Sequence, residues 1–128
     1  MVGESPTIGT TAQKFLHHVA ETGGVDLSLC ANDAVWWSML GGEVLIADQV
    51  ASMESAARRM YSGPGRLEID RVIVGEDVVV IEARGFQPLK NGKSYDNVYV
   101  WVISFRGSLI SRVNHYFNPE IAKAAMAG

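Results

Sequence analysis

The last third of the chain alternates between apolar and polar side chains over two long runs, residues 95–105 and 108–117, which are joined by Arg106-Gly107. A period of two is typical of a β-strand, because successive side chains point to opposite faces of a sheet. Such a short connection between consecutive strands indicates antiparallel pairing. The sequence therefore predicts a long β-hairpin, and each arm can turn one face toward a common interior.

The predicted hairpin carries polar and aromatic side chains on one face. The alternation places Asn97, Tyr99 and Trp101 together on the first arm, and His115 and Phe117 together on the second. A cavity with apolar walls and a few polar groups is the usual form of a small-molecule site. We therefore expect a pocket lined by these side chains, although the sequence does not identify its ligand.

Helices are predicted ahead of the sheet, where apolar residues recur at intervals of three and four. Thr10 and Gln13 have the spacing of a capping box, and Gly23-Gly24 ends the helix that they start. A second amphipathic helix is predicted over residues 48–61, and a shorter one over residues 27–31. The N-terminal half is therefore expected to be mainly helical.

Further strands are predicted at residues 34–39, 67–74 and 78–84. Helices followed by consecutive antiparallel strands indicate an α+β fold. We expect one domain over residues 1–128, with residues 1–9 flexible. A strongly curved antiparallel sheet wrapped around about three N-terminal helices would enclose a cone-shaped cavity.

Composition argues against several classes of function. The 11 Lys and Arg residues are scattered and the net charge is −3, so there is no basic stripe for nucleic acid. Apolar runs are too short to span a bilayer, and residues 1–10 lack the features of a signal peptide. The lone Cys30 excludes an internal disulfide, and the adjacent His17 and His18 point in different directions on a helix. We expect a cytoplasmic protein with no metal, cofactor, nucleic-acid or membrane partner.

Five short motifs are spread over nearly the whole chain. They are Asn32-Asp33-Ala34-Val35-Trp36, the Gly-Glu-Asp-Val-Val-Val-Ile-Glu stretch at residues 75–82, Gly92-Lys93-Ser94-Tyr95, Arg106-Gly107, and the final Tyr116-Phe117. Together they resemble the nuclear transport factor 2-like superfamily, in its SnoaL-like and ketosteroid isomerase-like branch. The resemblance implies a cystatin-like roll with an internal pocket. It does not imply one activity, because the superfamily includes isomerases, hydrolases, cyclases, dehydratases and binding modules.

The resemblance also argues against two of these reactions. Limonene-epoxide hydrolases carry an Arg and an Asp on the middle strand and an Asp before the final Tyr-Phe, where this chain has Ala83, Gly85 and His115. Ketosteroid isomerases use an Asp base and an acidic hydrogen-bond donor, and the matching positions fall at or near Ser38 and Trp101. We therefore expect neither activity.

SnoaL-type polyketide cyclases keep an acid/base carboxylate at the position that matches His115. Two functions consequently stay open. The first is cofactor-free acid/base catalysis of an isomerase, cyclase or dehydratase type, with His115 as acid/base and Tyr99 and Asn97 holding a substrate oxygen. The second is non-catalytic binding of a small hydrophobic ligand by a pocket that has lost its acids.

The expected ligand is largely apolar with one or two oxygens, because the predicted pocket lining is apolar with few polar groups. The residues predicted to bind it are Phe15, Leu16, Val19, Trp36, Met53, Ala57, Trp101 and Phe117.

The outer face of the sheet is expected to carry both large apolar residues and charge. Glu82 and Arg84 share this face, where an exterior ion pair is favoured over a buried catalytic pair. A homodimer packed through the face is predicted, since large exposed residues mark interfaces. The prediction rests on residues that cannot all face one cavity: Trp36 or Trp37, Val80, Val98 and Val102.

Overall fold

The computed structural model describes residues 7–127. Within that range the chain forms three α-helices and six strands. A single 3-10 turn, Leu27–Leu29, precedes the first strand at the place where a short helix was predicted. The elements are α1 (Ile8–Thr22), β1 (Cys30–Ser38), β2 (Gly42–Leu45), α2 (Ile46–Met60), β3 (Arg66–Val74), β4 (Val78–Pro88), β5 (Ser94–Arg106), β6 (Leu109–Phe117) and α3 (Pro119–Ala127). None of the described helices is long and apolar enough to cross a membrane. The predicted α+β class is confirmed.

The strands form one curved, open sheet in the order β2-β1-β6-β5-β4-β3. Pairing between β3 and β4, β4 and β5, and β5 and β6 is antiparallel, as the short connections predicted. β1 pairs with β6 in parallel, with Trp36 opposite Val113, so the sheet is mixed rather than wholly antiparallel. The sequence could not show this, because a long connection does not fix the relative direction of two strands.

The start of α1 differs from the predicted capping box. Thr7 is the N-cap, and its side chain accepts a hydrogen bond from the backbone N–H of Thr10 at 3.1 Å. Gln13 instead donates to a backbone carbonyl one turn earlier in the helix. The flexibility predicted for the N-terminus stays a prediction for residues 1–6, which lie outside the described residues. Gly23 ends the helix in the left-handed conformation, as expected.

Two elements were not predicted as such. One is the edge strand β2, which pairs with β1 in antiparallel fashion after a tight turn. Gly42 has a φ of 69° in this turn. Gly41-Gly42 therefore reverses the chain into a β-hairpin and does not merely end β1. The C-terminal alanine-rich segment forms α3, whose first turn is capped by the Asn118 side chain. The third helix is therefore C-terminal, and only two full helices precede the main strands.

The core lies between the concave face of the sheet and the helices. On β4 every second residue is buried, and Val79, Ile81 and Ala83 are at most 3% exposed. Phe15 and Leu16 of α1 pack against this face and are at most 1% exposed. The same alternation that forms the core continues toward the end of β4 and positions one wall of the site described below.

The intervening residues of β4 lie on the convex face. Glu82 pairs with Arg71 at 2.6 Å, and Arg84 pairs with Asp70 at 2.9 Å. These ion pairs are solvent-exposed, which confirms the exterior interpretation of Glu82 and Arg84 and excludes them from a buried catalytic pair.

Candidate functional site

A cavity of about 210 Å³ lies between the concave face of the sheet and helices α1 and α2. Its walls are mainly aromatic and aliphatic, and no Asp or Glu is among the residues that line it. The lining residues are Leu16, Val19, Ala20, Trp36, Met53, Tyr61, Gly65, Arg66, Leu67, Gly85, Phe86, Gln87, Tyr95, Tyr99, Trp101 and His115.

Most of the residues predicted to form the site lie at this cavity. Those that line it are Leu16, Val19, Trp36, Met53, Tyr99, Trp101 and His115. Trp36 faces inward, whereas Trp37 packs against Tyr116 on the opposite side of β1, with ring centroids 5.1 Å apart. The choice between the two tryptophans, which the sequence left open, is thereby settled.

Four predicted residues do not line the cavity. Phe15 is fully buried behind Trp36, and Ala57 lies in a neighbouring cleft at the ends of α1 and α2. Phe117 supports the His115 ring from behind, with ring centroids 4.7 Å apart. Asn97 is buried and bonded to the protein itself. The alternation of strand residues identifies a face but not which residues of that face border empty space.

His115 is enclosed by aromatic rings. The Trp101 ring is parallel to it at 5.1 Å, the Tyr99 ring is stacked at 5.2 Å, and the Trp36 ring meets it edge-on at 5.5 Å. The residue keeps some accessible surface, but its Nε2 atom is buried. Burial lowers the pKa of His115 from its ordinary 6.5 to about 3. The imidazole is therefore neutral at pH 7.

Two ring nitrogens in this cluster have no hydrogen-bond partner in the described part of the chain. They are Nε2 of His115 and Nε1 of Trp101, and both residues line the cavity. The indole N–H can only donate, whereas Nε2 of a neutral imidazole donates or accepts according to its tautomer. A ligand oxygen that reached the buried Nε1 would satisfy the Trp101 donor.

Asn97 fixes the polar end of the site without being available to a ligand. Its Oδ1 accepts from the backbone N–H groups of Val98 at 2.8 Å and Asn118 at 3.1 Å. Its Nδ2 donates to the Asn118 carbonyl at 3.1 Å and to the Tyr95 hydroxyl at 2.8 Å. The structure therefore leaves no hydrogen-bonding group of the Asn97 amide free for the predicted contact with a substrate oxygen.

The Tyr99 hydroxyl lies next to this network. Burial raises its pKa far above the ordinary value of 10, and hydrogen bonding to Tyr95 raises it further. Tyr99 consequently stays protonated at any physiological pH. It offers the cavity a neutral hydroxyl rather than a charge.

The sequence missed the contribution of the last residues of β4. The strand was predicted to end at Arg84 but continues to Pro88, which brings Gly85 and Gln87 to the concave face. A Cβ atom at Gly85 would lie 2.6 Å from the Tyr99 ring, so this glycine is what allows the tyrosine to lie flat on β4. The burial of every second residue from Val79 continues through Gly85 to Gln87. The sequence analysis missed this longer strand because Gly85 was interpreted as the end of β4.

A family model described as a SnoaL-like domain matches residues 13–113. The chain belongs to the SnoaL-like family. This confirms the resemblance to the nuclear transport factor 2-like superfamily.

Solved structures share the fold of this SnoaL-like domain. An NTF2-like protein from Anabaena variabilis is 22% identical, with a TM-score of 0.74 over 92% of this chain and 95% of that one. TerC co-crystallised with polyporic acid is 16% identical, with a TM-score of 0.76 over 95% of this chain and 100% of that one. An LEH-like epoxide hydrolase from M. tuberculosis is 12% identical, with a TM-score of 0.73 over 94% and 90%. No curated protein matches the sequence.

The SnoaL-like domain carries neither an acid nor an arginine at the positions where the resemblance led us to look for catalytic charges. Gly85, Trp101 and His115 border the cavity, Ala83 is buried in the core, and Ser38 lies beside His115 on the neighbouring strand. Within residues 7–127, no group of three His, Cys, Asp or Glu side chains is arranged to hold a metal. The site therefore offers apolar contact, hydrogen-bond donors and a neutral imidazole.

Proposed function

We propose that this SnoaL-like domain binds a small, flat, largely apolar molecule that carries at least one acceptor oxygen. The observation that carries the proposal is the unpartnered Trp101 Nε1 in an aromatic wall, together with the unpartnered His115 Nε2 beside it. Leaving a buried polar group unsatisfied costs about 1–3 kcal/mol. A ligand oxygen would remove that cost, whereas a hydrocarbon would not.

The volume of the cavity limits the size of such a ligand. A cavity of about 150 Å³ lined by apolar side chains holds one benzene molecule. The cavity here, of about 210 Å³, has room for one substituted ring or a compact bicyclic skeleton. An aromatic skeleton suits its walls, because Trp36, Tyr99 and Trp101 present ring surfaces for stacking.

The charge of the lining favours a neutral or anionic ligand over a cation. Arg66 is the lining residue that carries a formal charge, and its guanidinium lies 4.3 Å from the centre of the Phe86 ring. Its side chain is 61% exposed and pairs with Glu68, which places it at the mouth rather than the interior. A buried cation would meet no carboxylate, and an unpaired buried charge is strongly unfavourable.

Binding is better supported than acid/base catalysis by His115. A general base works best when its pKa lies near the working pH, and burial lowers the pKa of His115 to about 3. Among the described residues, no charged group pairs with the ring to raise its basicity. The fold shared with TerC, co-crystallised with polyporic acid, is consistent with a small-molecule pocket.

Assays with a steroid enone and a terpene epoxide are expected to show no turnover.

A pair of matched ligands tests the proposed binding. The carbonyl of 4-ethylacetophenone is replaced by a methylene in 1,4-diethylbenzene, so the two probes differ mainly in one acceptor oxygen. In calorimetric titrations the wild-type protein is expected to prefer the ketone. Replacing Trp101 by Phe removes the indole donor, and this variant should lose about three- to tenfold in affinity for the ketone relative to the hydrocarbon.

Leu16→Val serves as the control, because it alters the cavity wall without removing a hydrogen-bond donor. It should weaken both probes by a similar factor. Equal affinity of the wild type for the ketone and the hydrocarbon would contradict the role assigned to Trp101. Absence of binding by both probes would contradict the proposed function.

We further propose that the domain forms a homodimer through the convex face of its sheet. Val98 is 56% exposed there, and Ile73 is 47% exposed. Trp37 and Tyr116 add a partly exposed aromatic pair to the same face. An apolar surface of this extent is a liability in water, and a second copy would cover it.

The charged residues at the two edges of the convex face are compatible with pairing between the convex faces of two copies of the chain. Arg71 and Glu82 pair at 2.6 Å on one side, and Arg112 and Glu43 pair at 2.7 Å on the other. A two-fold interface brings the same patch of both subunits together, so a patch with both signs of charge can complement itself. Stable interfaces of this kind bury roughly 1,600 Å² in total.

Sedimentation velocity at micromolar concentration tests the dimer. The wild type is expected to sediment as a dimer, and Val98→Lys as a monomer, because a buried lysine would meet its own copy or an apolar surface. Val44→Lys is the matched control, since Val44 is exposed but pairs with Trp36 and so lies on the opposite face. A monomeric wild type would refute the proposal.

A further inference from the structure

A second cavity of about 270 Å³, here called the outer cleft, lies where α1 and α2 end. Its lining includes Glu21, Ala57, Arg58, Tyr61, Ser62 and Gln87. Tyr61 and Gln87 also line the ligand cavity. These two side chains therefore form a partition between the ligand cavity and the outer cleft.

Hydrogen bonds hold Gln87 in the partition. Its Nε2 donates to the carbonyls of Gly63 at 2.9 Å and Pro88 at 2.8 Å, and the residue is only 9% exposed. The backbone beneath it must be glycine, because a Cβ atom at Gly65 would lie 2.5 Å from both the Gln87 Oε1 and the Ala20 carbonyl. The chain is thus arranged to let a long polar side chain lie across the gap.

Tyr61 closes the partition from the helix side. Its backbone N–H donates to the Ala57 carbonyl at 2.9 Å, and an isolated bridge joins it to Leu89 near the end of β4. The ends of the two helices approach so closely at Gly23 that a Cβ atom there would lie 2.6 Å from that of Ala57. The partition is therefore fixed by both the sheet and the helices.

We propose that Gln87, together with Tyr61, determines the ligand length that the cavity accepts. Compact aromatic ketones would fit on the near side of the partition, and chain-bearing ones would collide with it. Beyond it the outer cleft has room for an alkyl chain and a rim with Glu21, Arg58 and Ser62, which would suit a polar chain end. This inference rests on the proposed function, since it concerns the same cavity.

The expected effect follows from the burial of methylene groups. Each methylene transferred from water into an apolar site improves affinity by roughly fourfold. A chain that is blocked gains nothing from extra methylenes and loses affinity through the collision. Opening the partition should therefore change the dependence of affinity on chain length rather than the affinity for short ligands.

A homologous series tests the inference: 4-ethyl-, 4-butyl- and 4-hexylacetophenone. Wild-type affinity is expected to fall with chain length. In Gln87→Ala it should rise with chain length, so that the hexyl compound gains at least about tenfold relative to the ethyl compound. Gln87→Met is the matched control, because methionine fills a similar space without the hydrogen bonds and should keep the wild-type order. Tyr61→Ala opens the same partition from the helix side and provides a second variant.

The outcomes separate the inference from the proposed function. Thermal unfolding of each variant establishes that it is folded. If the wild type binds the ethyl compound but folded Gln87→Ala and Tyr61→Ala keep the wild-type order, the partition does not set ligand length and the inference is overturned. If the wild type binds none of the three ketones, the proposed function fails and the inference with it.

Discussion

Replacing Gly85 by alanine is expected to displace the Tyr99 ring, abolish ligand binding and destabilise the fold by about 1–3 kcal/mol. A Cβ atom at this position would lie 2.6 Å from Cε2 of that ring and 3.4 Å from Cδ2. The tyrosine cannot simply move away, because it stacks on Trp101 with ring centroids 4.7 Å apart. Urea denaturation and titration with 4-ethylacetophenone would measure both effects.

Gly63→Ala is the matched control, because no atom lies within 4 Å of the Cβ that it would gain. It should change the free energy of unfolding by no more than about 0.5 kcal/mol. A second substitution, Tyr99→Leu in the Gly85→Ala background, should recover part of the stability by making room. If Gly85→Ala alone kept the stability and affinity of the wild type, the claim that the Tyr99 ring is fixed against Gly85 would be contradicted.

A large pH effect on stability is expected from His115. Its pKa is about 3 in the folded protein and close to 6.5 in the unfolded chain, so the unfolded state binds the proton more readily between these values. The neutral His115 ring therefore makes its full contribution to the free energy of unfolding above about pH 6.5. This contribution is lost as the pH falls toward 3. The free energy of unfolding should fall by up to about 1.4 kcal/mol per pH unit in this window.

His115→Gln isolates this contribution, because glutamine keeps a hydrogen-bonding side chain that does not titrate. Asp70 and Glu82 have pKa values lowered by their arginine partners, and they add acid sensitivity to both proteins alike. The difference between the two stability profiles from pH 7 to pH 5 therefore reports on His115. Parallel profiles would mean that the imidazole titrates in the folded protein as it does in the unfolded chain, and the case against a base would fail.

Much of the fold follows from local patterns. The alternation along β3 to β6 predicted four strands and their pairing, because one face of each strand is buried and the connections are short. The parallel pairing of β1 with β6 depends on distant parts of the chain and leaves no local pattern. The role of Gly42 also escaped prediction, since a glycine that breaks a strand and one that turns a hairpin look alike in sequence.

The site was predicted less completely than the fold. The alternation correctly brought Tyr99, Trp101 and His115 to one face, because they occupy matching positions on β5 and β6. The role of Asn97 could not be predicted, since it depends on Asn118 and Tyr95 occupying all of its hydrogen-bonding groups. The partition between the two cavities likewise depends on contacts between distant segments.

The central claim is that the aromatic cavity is the ligand site, and a crystal structure with 4-bromoacetophenone tests it most directly. Anomalous scattering locates the bromine without any assumption about the pose. We expect one bromine peak inside the cavity, with the ketone oxygen within about 3.2 Å of Trp101 Nε1. An empty cavity at saturating ketone, or bromine only on the convex face of the sheet, would contradict the account.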